Sequence, residues 1–404
     1  MSFLSDSPIH RFTDSPKFLL AIETSCDETA VAVLSGERRI LASLVSSQNQ
    51  VHSPFGGVVP ELACRAHMDV LAPMTRQALD EAGVRVRDLD AIAVTAGPGL
   101  IGALLVGVSQ AKAMAFALGI PLVAVHHIEA HIAAVLLDHD DEDVFPAVAL
   151  VVSGGHTHLY DVKGPGRVRP LGRTRDDAAG EAFDKVAALL RLGYPGGPAI
   201  DRLAREGDPR AVAFPRPRVE GAPFDFSFSG LKTAVRRHLA GSSPLTPALS
   251  PQGRGGSLDA VCSPSLPSGE RDTPRFSPLP SHGELSPESS PLPFGERDRV
   301  RGIADVAASF QAAVVDVLVD RTIRAARETG VRNVIVAGGV AANSALRKGM
   351  EGACASDGLR LFIPPPALCT DNAAMVAVLG ARYLAMGRTA SLDLNPRDRW
   401  GLGE

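Results

Sequence analysis

Cysteine is scarce in this chain: Cys26, Cys64, Cys262, Cys354 and Cys369 are its five in 404 residues. No two stand in C-x-x-C spacing, so neither a disulfide framework nor a zinc ribbon is indicated, and the thiols suit a reducing compartment. An excess of positive charge is lacking as well. Lys and Arg number 41 against 45 Asp and Glu, a net charge of -4, which argues against autonomous nucleic-acid binding through a strongly basic surface. A nucleic-acid substrate would need a local basic surface or one supplied by partner proteins. Long apolar runs are missing too: 103–118 is broken by Gly, Ser, Gln and Lys and is too short for a membrane span. Residues 1–17 are polar and carry no apolar signal core, so the expectation is a soluble cytoplasmic protein without membrane attachment. Also absent is G-x-x-x-x-G-K-S/T, which excludes a P-loop NTPase.

What is present is a 45% hydrophobic chain, enough for a large core and, by length, two or three domains. Phe18–Glu23, 29–35 and 39–46 are runs of strand type joined by the polar turn Thr24-Ser25-Cys26-Asp27-Glu28 and by a turn at Gly36, which predicts a meander. The rhythm then changes: 90–95, a helix over 99–118 and 121–125 read as a β-α-β unit. The plan starts again with Ala147–Val152, the turn Ser153-Gly154-Gly155-His156 and a strand over 158–162. Helices follow over 180–192 and 198–206, a strand over Asn333–Ala337, and helices over 341–351 and 371–386. Two halves that each open on a hairpin and pass to β-α units predict a duplicated α/β domain with a cleft between the halves.

One segment breaks this pattern. Residues 242–302 hold 11 of the 31 prolines, 12 serines and only two aromatics, Phe276 and Phe294. Such composition cannot form a packed core and predicts disorder. A Ser-Pro-rich phrase recurs at 263–272, 277–284 and 290–298, like a translated DNA repeat. A tolerated surface insertion is preferred here over a tether or partner-binding arm, because long surface loops cost little closure entropy.

The sharpest chemical feature is His126-His127-Ile128-Glu129-Ala130-His131, directly after the strand at 121–125. On a helix His127 and His131 share one face, a spacing that suits two imidazole ligands on one metal or histidines capping a helix start. The place at a strand's C-terminal end, where α/β ligand sites collect, sets the two readings level. Asp371 stands before a helix, where an N-cap aspartate also belongs. Gly97-Pro98-Gly99-Leu100-Ile101-Gly102 fits G-x-G-x-x-G. It follows the fourth strand rather than the first, however, and no acidic residue ends the next strand, so a dinucleotide fold is not indicated. The turns 153–155, 195–198 and 337–339 free backbone N–H groups for an anion or phosphate. Asp177, Glu181 and Asp184 share one helical neighbourhood, either to hold ribose hydroxyls or simply as a solvated acidic helix start.

Taken in order, these residues resemble the TsaD family, also described as Kae-type or Gcp proteins. The match runs from Phe18 to Trp400 through Ile22-Glu-Thr-Ser-Cys-Asp-Glu-Thr29, Gly56-Gly-Val-Val-Pro-Glu-Leu-Ala63, Thr95-Ala-Gly-Pro-Gly-Leu100 and the 126–131 block. It continues through Val152-Ser-Gly-Gly-His-Thr157, 176–185, Tyr194-Pro-Gly-Gly-Pro198, 226–233, 337–343 and 369–372. The resemblance implies a duplicated actin-like ATPase fold (the superfamily of sugar kinases, Hsp70 and actin). Its two lobes would span 18–145 and 146–404, after an extension over 1–17 and with the insertion 242–302 in the second. It implies one metal ion, iron or alternatively zinc, on His127, His131 and Asp371. Val151, Val152, Ser153, Gly154 and Gly155, with Asp184, Gly197, Asp201 and Asn343, would surround the adenylate of a donor. Archaeal and eukaryotic relatives place a Tyr near Val151 as a further metal contact; Val here marks a bacterial type.

The implied reaction is transfer of threonylcarbamoyl from threonylcarbamoyl-AMP to N6 of adenosine 37 in tRNAs reading codons that start with A. Glu28 is the candidate for a catalytic support role. The implied partners are tRNA, a TsaB-like paralogue, a TsaE-like ATPase and a separate donor-making enzyme. Three rivals compete. A metalloprotease needs H-E-x-x-H, but Ile128 follows the first His and Glu129 is turned about 100° off the metal face. A small-molecule kinase of the same superfamily leaves the histidines and Asp371 without a task. A TsaB-like scaffold would resemble this chain only in its first half.

Overall fold

The computed structural model describes residues 16–241 and 294–403. The expectations placed on residues 1–15 and on the Pro/Ser-rich stretch 242–293 lie outside the described residues.

The chain opens with the strands β1 (Phe18–Glu23), β2 (Glu28–Ser35) and β3 (Arg39–Ser47), then α1 (Pro60–Ala82), β4 (Ala91–Gly97), α2 (Ile101–Leu118), β5 (Leu122–His126) and the short α3 (His127–Ala133). The second half repeats the sequence of elements with β6 (Ala147–Val152), β7 (Thr157–Gly164), β8 (Arg167–Arg173), α4 (Ala179–Leu190), α5 (Gly196–Ala204), α6 (Ser229–Gly241) and α7 (Phe294–Thr329). It closes with β9 (Asn333–Ala337), α8 (Ser344–Asp357), β10 (Arg360–Phe362) and α9 (Ala373–Ala385).

Two five-stranded sheets result, ordered β3-β2-β1-β4-β5 and β10-β9-β6-β7-β8. In the first, β1 pairs antiparallel with β2 and parallel with β4. In the second, β6 pairs antiparallel with β7 and parallel with β9. Substituting β6, β7, β8, β9 and β10 for β1, β2, β3, β4 and β5 reproduces the whole order and every strand direction. This is the duplicated actin-like α/β architecture, and it is visible without any residue-level repeat.

The pattern of burial explains the strand order. In β1, Leu19, Leu20 and Ile22 are fully buried on both faces, each burial worth about 1.5–3 kcal/mol, as a central strand covered by helices on both sides requires. The edge strand β3 is mostly exposed along its length. The third strand of the second hairpin, β8, was not expected. Its Arg-Val-Arg-Pro-Leu-Gly-Arg sequence is too polar to read as a strand, and an edge position is what tolerates its proline.

α9 holds the two halves together. Residues Ala373 to Leu384 are all buried, and apart from Arg382 and Tyr383 they are apolar, as a helix enclosed in a core requires. It packs on β1, β2, β4 and β5 and shares one core cluster with Ala149 and Val151 of β6 and Ile335 of β9. A Cβ at Gly380 would stand 2.5 Å from that of Ala93, so glycine is what lets α9 approach β4. Two helical stretches, Ile101–Leu118 and Gly302–Thr329, are long and apolar enough to cross a membrane, and they are 33% and 67% buried within the fold.

Candidate active site

A cavity of about 670 Å³ lies between the lobes. One side is formed by the β1–β2 turn, the Pro98-Gly99-Leu100 turn and His127; the other by Ser153-Gly154-Gly155, α4, α5 and the approach to α9.

β5 ends at His126 and α3 begins at His127, so His127 and His131 project from successive turns toward the segment before α9. His131 Nε2 lies 3.1 Å from Asp371 Oδ1 and His127 Nε2 3.7 Å from the same oxygen. One ligand atom from each of the three falls within 4.8 Å of the others. The capping alternative for Asp371 is corrected here: Asn372 caps α9, its Oδ1 accepting from Met375 N–H at 2.9 Å. Asp371 is thereby left to the histidines. Burial would raise the Asp371 carboxyl, but His127 and His131 beside it hold it below the usual carboxylate range. For His127 burial acts downward, and Asp371 with Glu23 outweighs it, lifting the ring to about 9.

Two imidazoles and a carboxylate form a donor set that suits iron or zinc. The residues fit such an ion in a second respect. His127 Nδ1 is already engaged, 3.2 Å from Glu23 Oε2 and 3.2 Å from Ser25 Oγ, which turns Nε2 toward Asp371. Glu129 has no part in this group. Its Oε2 accepts from Tyr383 O–H at 2.6 Å and its Oε1 from Gly166 N–H at 2.5 Å, so it points away from the triad and leaves the protease reading without its base.

Glu28 lines the cavity at the start of β2. Burial, Asp371 and Asp27 together push its carboxyl up to about 10. The turn that carries it is held from behind by His67, whose Nε2 donates to Cys26 O at 2.9 Å while Nδ1 accepts from Thr29 O–H at 2.7 Å.

Across the cavity the turn after β6 is closed by Ser153 N–H donating to His156 O at 2.8 Å. Gly154 and Gly155 face open space beside the N-terminus of α4, an arrangement suited to an anion. Val151 and Val152 are fully buried in β6 and offer only backbone. Asp184 on α4 accepts from Gly196 N–H at 2.7 Å, and this bond places Gly197 at the cavity wall. Asp201 accepts from Ser344 O–H at 2.7 Å and from Arg205 at 2.9 Å. Asn343 caps α8 through Leu346 N–H at 3.0 Å and donates to Gln311 at 2.8 Å. Each of these polar groups is therefore pre-positioned by a structural bond while it borders the cavity. Asp177 and Glu181 instead both pair with Lys185, at 2.7 and 2.8 Å.

Three residues of this site escape a reading of the sequence: Glu23, Ser25 and His156. His156 lines the cavity, its ring pushed down to about 3 by burial and by His127. All three lie within the segments 22–29 and 152–157 that carry the family resemblance, and Glu23 also stands as an acidic residue at the end of the apolar run Phe18–Glu23.

Residues 39–378 match the family described as TsaD, tRNA N6-adenosine threonylcarbamoyltransferase. A relative from Syntrophotalea carbinolica with that same name is 50% identical over 386 residues, covering 96% of this chain and 97% of its own. Another so named, from Symbiobacterium thermophilum, is 48% identical over 389 residues, covering 96% and 98%. Among solved structures, HypF of T. kodakarensis superimposes with a TM-score of 0.56 at 16% identity, over 94% of this chain and 50% of that one, a likeness of fold alone. With the family matched along most of the chain and half the residues shared with a full-length relative, this chain belongs to the TsaD family of tRNA N6-adenosine threonylcarbamoyltransferases.

Proposed function

We propose that the cleft binds threonylcarbamoyl-AMP and presents its carbamoyl carbon to N6 of adenosine 37 in tRNAs reading codons that start with A. The observation that carries this reading is a single cavity with the His127–Asp371 group and the Ser153-Gly154-Gly155 turn both on its walls. Its volume suits a ligand of nucleotide size. The turn and the α4 N-terminus would hold the adenylate, with Asp184, Gly197, Asp201 and Asn343 around its nucleoside. As the N–C bond forms, the bond from carbon to phosphate oxygen breaks and AMP leaves with the electron pair. Glu28 would take the proton that N6 loses only as a carboxylate, and so only once the charge of Asp371, which helps hold its carboxyl up at about 10, is offset.

His127 through Nε2, His131 and Asp371 would hold a divalent ion, iron or zinc. Such an ion supplies positive charge against the charge that develops on the leaving phosphate. It would also offset the Asp371 charge that helps keep Glu28 protonated.

The remaining partners of this reading are a TsaB-like paralogue, a TsaE-like ATPase and a donor-making enzyme, acting in the cytoplasm. A net charge of -4 favours sharing tRNA binding among subunits. Ile101, Leu105 and Phe116 of α2, exposed by 48, 46 and 75%, fit a protein partner. The test is transfer of labelled threonine to tRNA by the chain with these partners, ATP and bicarbonate. One AMP released per threonine transferred supports the reading. Label on tRNA without AMP release from the donor overturns the donor assignment.

Metal uptake should depend on pH. In the metal-free protein His127 keeps its proton up to about 9, above its ordinary 6.5, and a ligating nitrogen must lose it. Zinc affinity is expected to rise about tenfold per pH unit until pH approaches the His127 value, then flatten. The same shift stabilises the metal-free fold fully below 6.5 and is lost as pH rises through 9. Competition titrations at several pH values, beside melting curves of the metal-free protein, check both.

A further inference from the structure

Glu23 is fully buried at the end of a strand that is otherwise apolar. An ionised carboxylate only accepts hydrogen bonds, and three donors converge on this one. Ser25 N–H lies 2.6 Å from Oε1, Thr95 O–H 2.6 Å from Oε2, and His127 Nδ1 3.2 Å from Oε2. With the first two bonds fixing the carboxylate in place, the nitrogen facing Oε2 must carry a hydrogen. The other nitrogen of that ring, Nε2, is the one that faces Asp371. His131 has no such support, since its Nδ1 is buried with no hydrogen-bond partner among the described residues. Among the described residues, His127 alone of the two is therefore held by a carboxylate at Nδ1, the nitrogen turned away from Asp371.

We propose that Glu23 is the positioning residue that makes His127 a metal ligand: by accepting Nδ1–H it fixes the tautomer and ring angle that present the Nε2 lone pair beside Asp371. The proposal rests on the metal reading of the triad. Carboxylates behind ligating histidines fix their tautomer and raise their basicity in this way. Here Glu23 does more, because its Oε1 also holds the backbone of Ser25, three residues before Glu28. One buried side chain thus sets both the His127 ring and the start of the turn that carries Glu28 into the cleft.

Glu23→Gln is nearly isosteric but chemically opposed to this role. A carboxamide has one oxygen, while the bonds to Ser25 and to the Thr95–His127 side each need an acceptor. If the oxygen stays on Ser25 N–H, the NH2 group faces His127 Nδ1 and drives the hydrogen to Nε2, where it blocks metal binding. The test is a cobalt(II) titration of the full chain followed by visible absorption, with zinc affinity by competition. Wild type, Glu23→Gln and His131→Ala are compared, each with its melting curve. The expected result is one cobalt per wild-type chain, and affinity weakened about tenfold or more in Glu23→Gln with an altered cobalt spectrum. A purely structural Glu23 would lower the melting temperature and leave the affinity and spectrum of the folded protein unchanged, which overturns the proposal. Should wild type take up no metal, the metal reading falls and this inference with it. Should His131→Ala lose metal while Glu23→Gln keeps wild-type affinity, only the Glu23 role fails. If Glu23→Gln does not fold, 15N resonances of the histidine rings in zinc-loaded wild type decide. Nδ1 protonated with zinc on Nε2 of His127 upholds the role, and zinc on Nδ1 overturns it.

Discussion

Replacing His127 and His131 together by alanine should lower threonine transfer to tRNA by at least about 100-fold, equivalent to about 2.7 kcal/mol of lost transition-state stabilisation. Bound metal should disappear at the same time. The two side chains supply two of the three candidate ligand atoms that gather within 4.8 Å, and among the described residues no other histidine is paired with Asp371. Their removal also leaves the buried Glu23 and the partly buried Asp371 without their cationic partners, and breaking a buried pair by deleting one partner costs about 3–5 kcal/mol. The variant must therefore be compared at a temperature where its melting curve shows it folded. His131→Asn, which keeps a polar side chain beside Asp371, gives a milder control. Transfer that survives in a folded, metal-free double variant keeps the reaction and removes the metal from it.

The fold was legible wherever burial is two-sided. β1, β4, β6 and β9 are apolar along nearly their whole length, and such runs announce central strands of a parallel sheet. The duplication followed from the repeated order of hairpin and β-α unit, because topology persists where side chains have diverged. β8 and α6 were not legible, for the opposite reason. β8 is a mostly exposed edge strand, and α6 buries only Leu231 and Val235, too few positions to impose a period.

The site divides along the same line. The His127/His131 pair is local, four residues apart on one helix, and its place at a strand's C-terminal end, not the spacing alone, sets the metal reading level with helix capping. Asp371 lies 240 residues from His131, and nothing local separates a ligand from a helix cap at that position; family resemblance supplied the connection. The fold realises it by bringing α9 back onto the first sheet and giving the cap to Asn372. Glu23 was invisible for a different reason. A charged residue at a strand end reads as the start of a turn, and only the convergence of Ser25, Thr95 and His127 on its oxygens shows a buried acceptor.

Two glycine substitutions should separate donor binding from folding. A Cβ at Gly180 would stand 2.6 Å from Ser153 O and 2.8 Å from the Cα and N of Gly154. These are backbone atoms that cannot swing aside, so Gly180→Ala must push the Ser153-Gly154-Gly155 turn away from α4. A displacement of about 1 Å in a binding element costs on the order of 100-fold in kcat/KM, and overpacking of this kind lowers stability by about 1–3 kcal/mol. Gly154→Ala is the contrast. Its Cβ meets nothing within 4 Å and its backbone needs no positive φ, so the fold should melt as wild type does. If the turn cradles the donor, that methyl occupies ligand space, and KM for threonylcarbamoyl-AMP should rise about tenfold or more, one such factor being about 1.4 kcal/mol of binding. Calorimetric binding of AMP to both variants, beside their melting curves, measures the two effects separately. Gly154→Ala with unchanged melting and unchanged AMP affinity would show that the adenylate lies elsewhere in the cleft, and would transfer its recognition to the Asp201 and Asn343 wall.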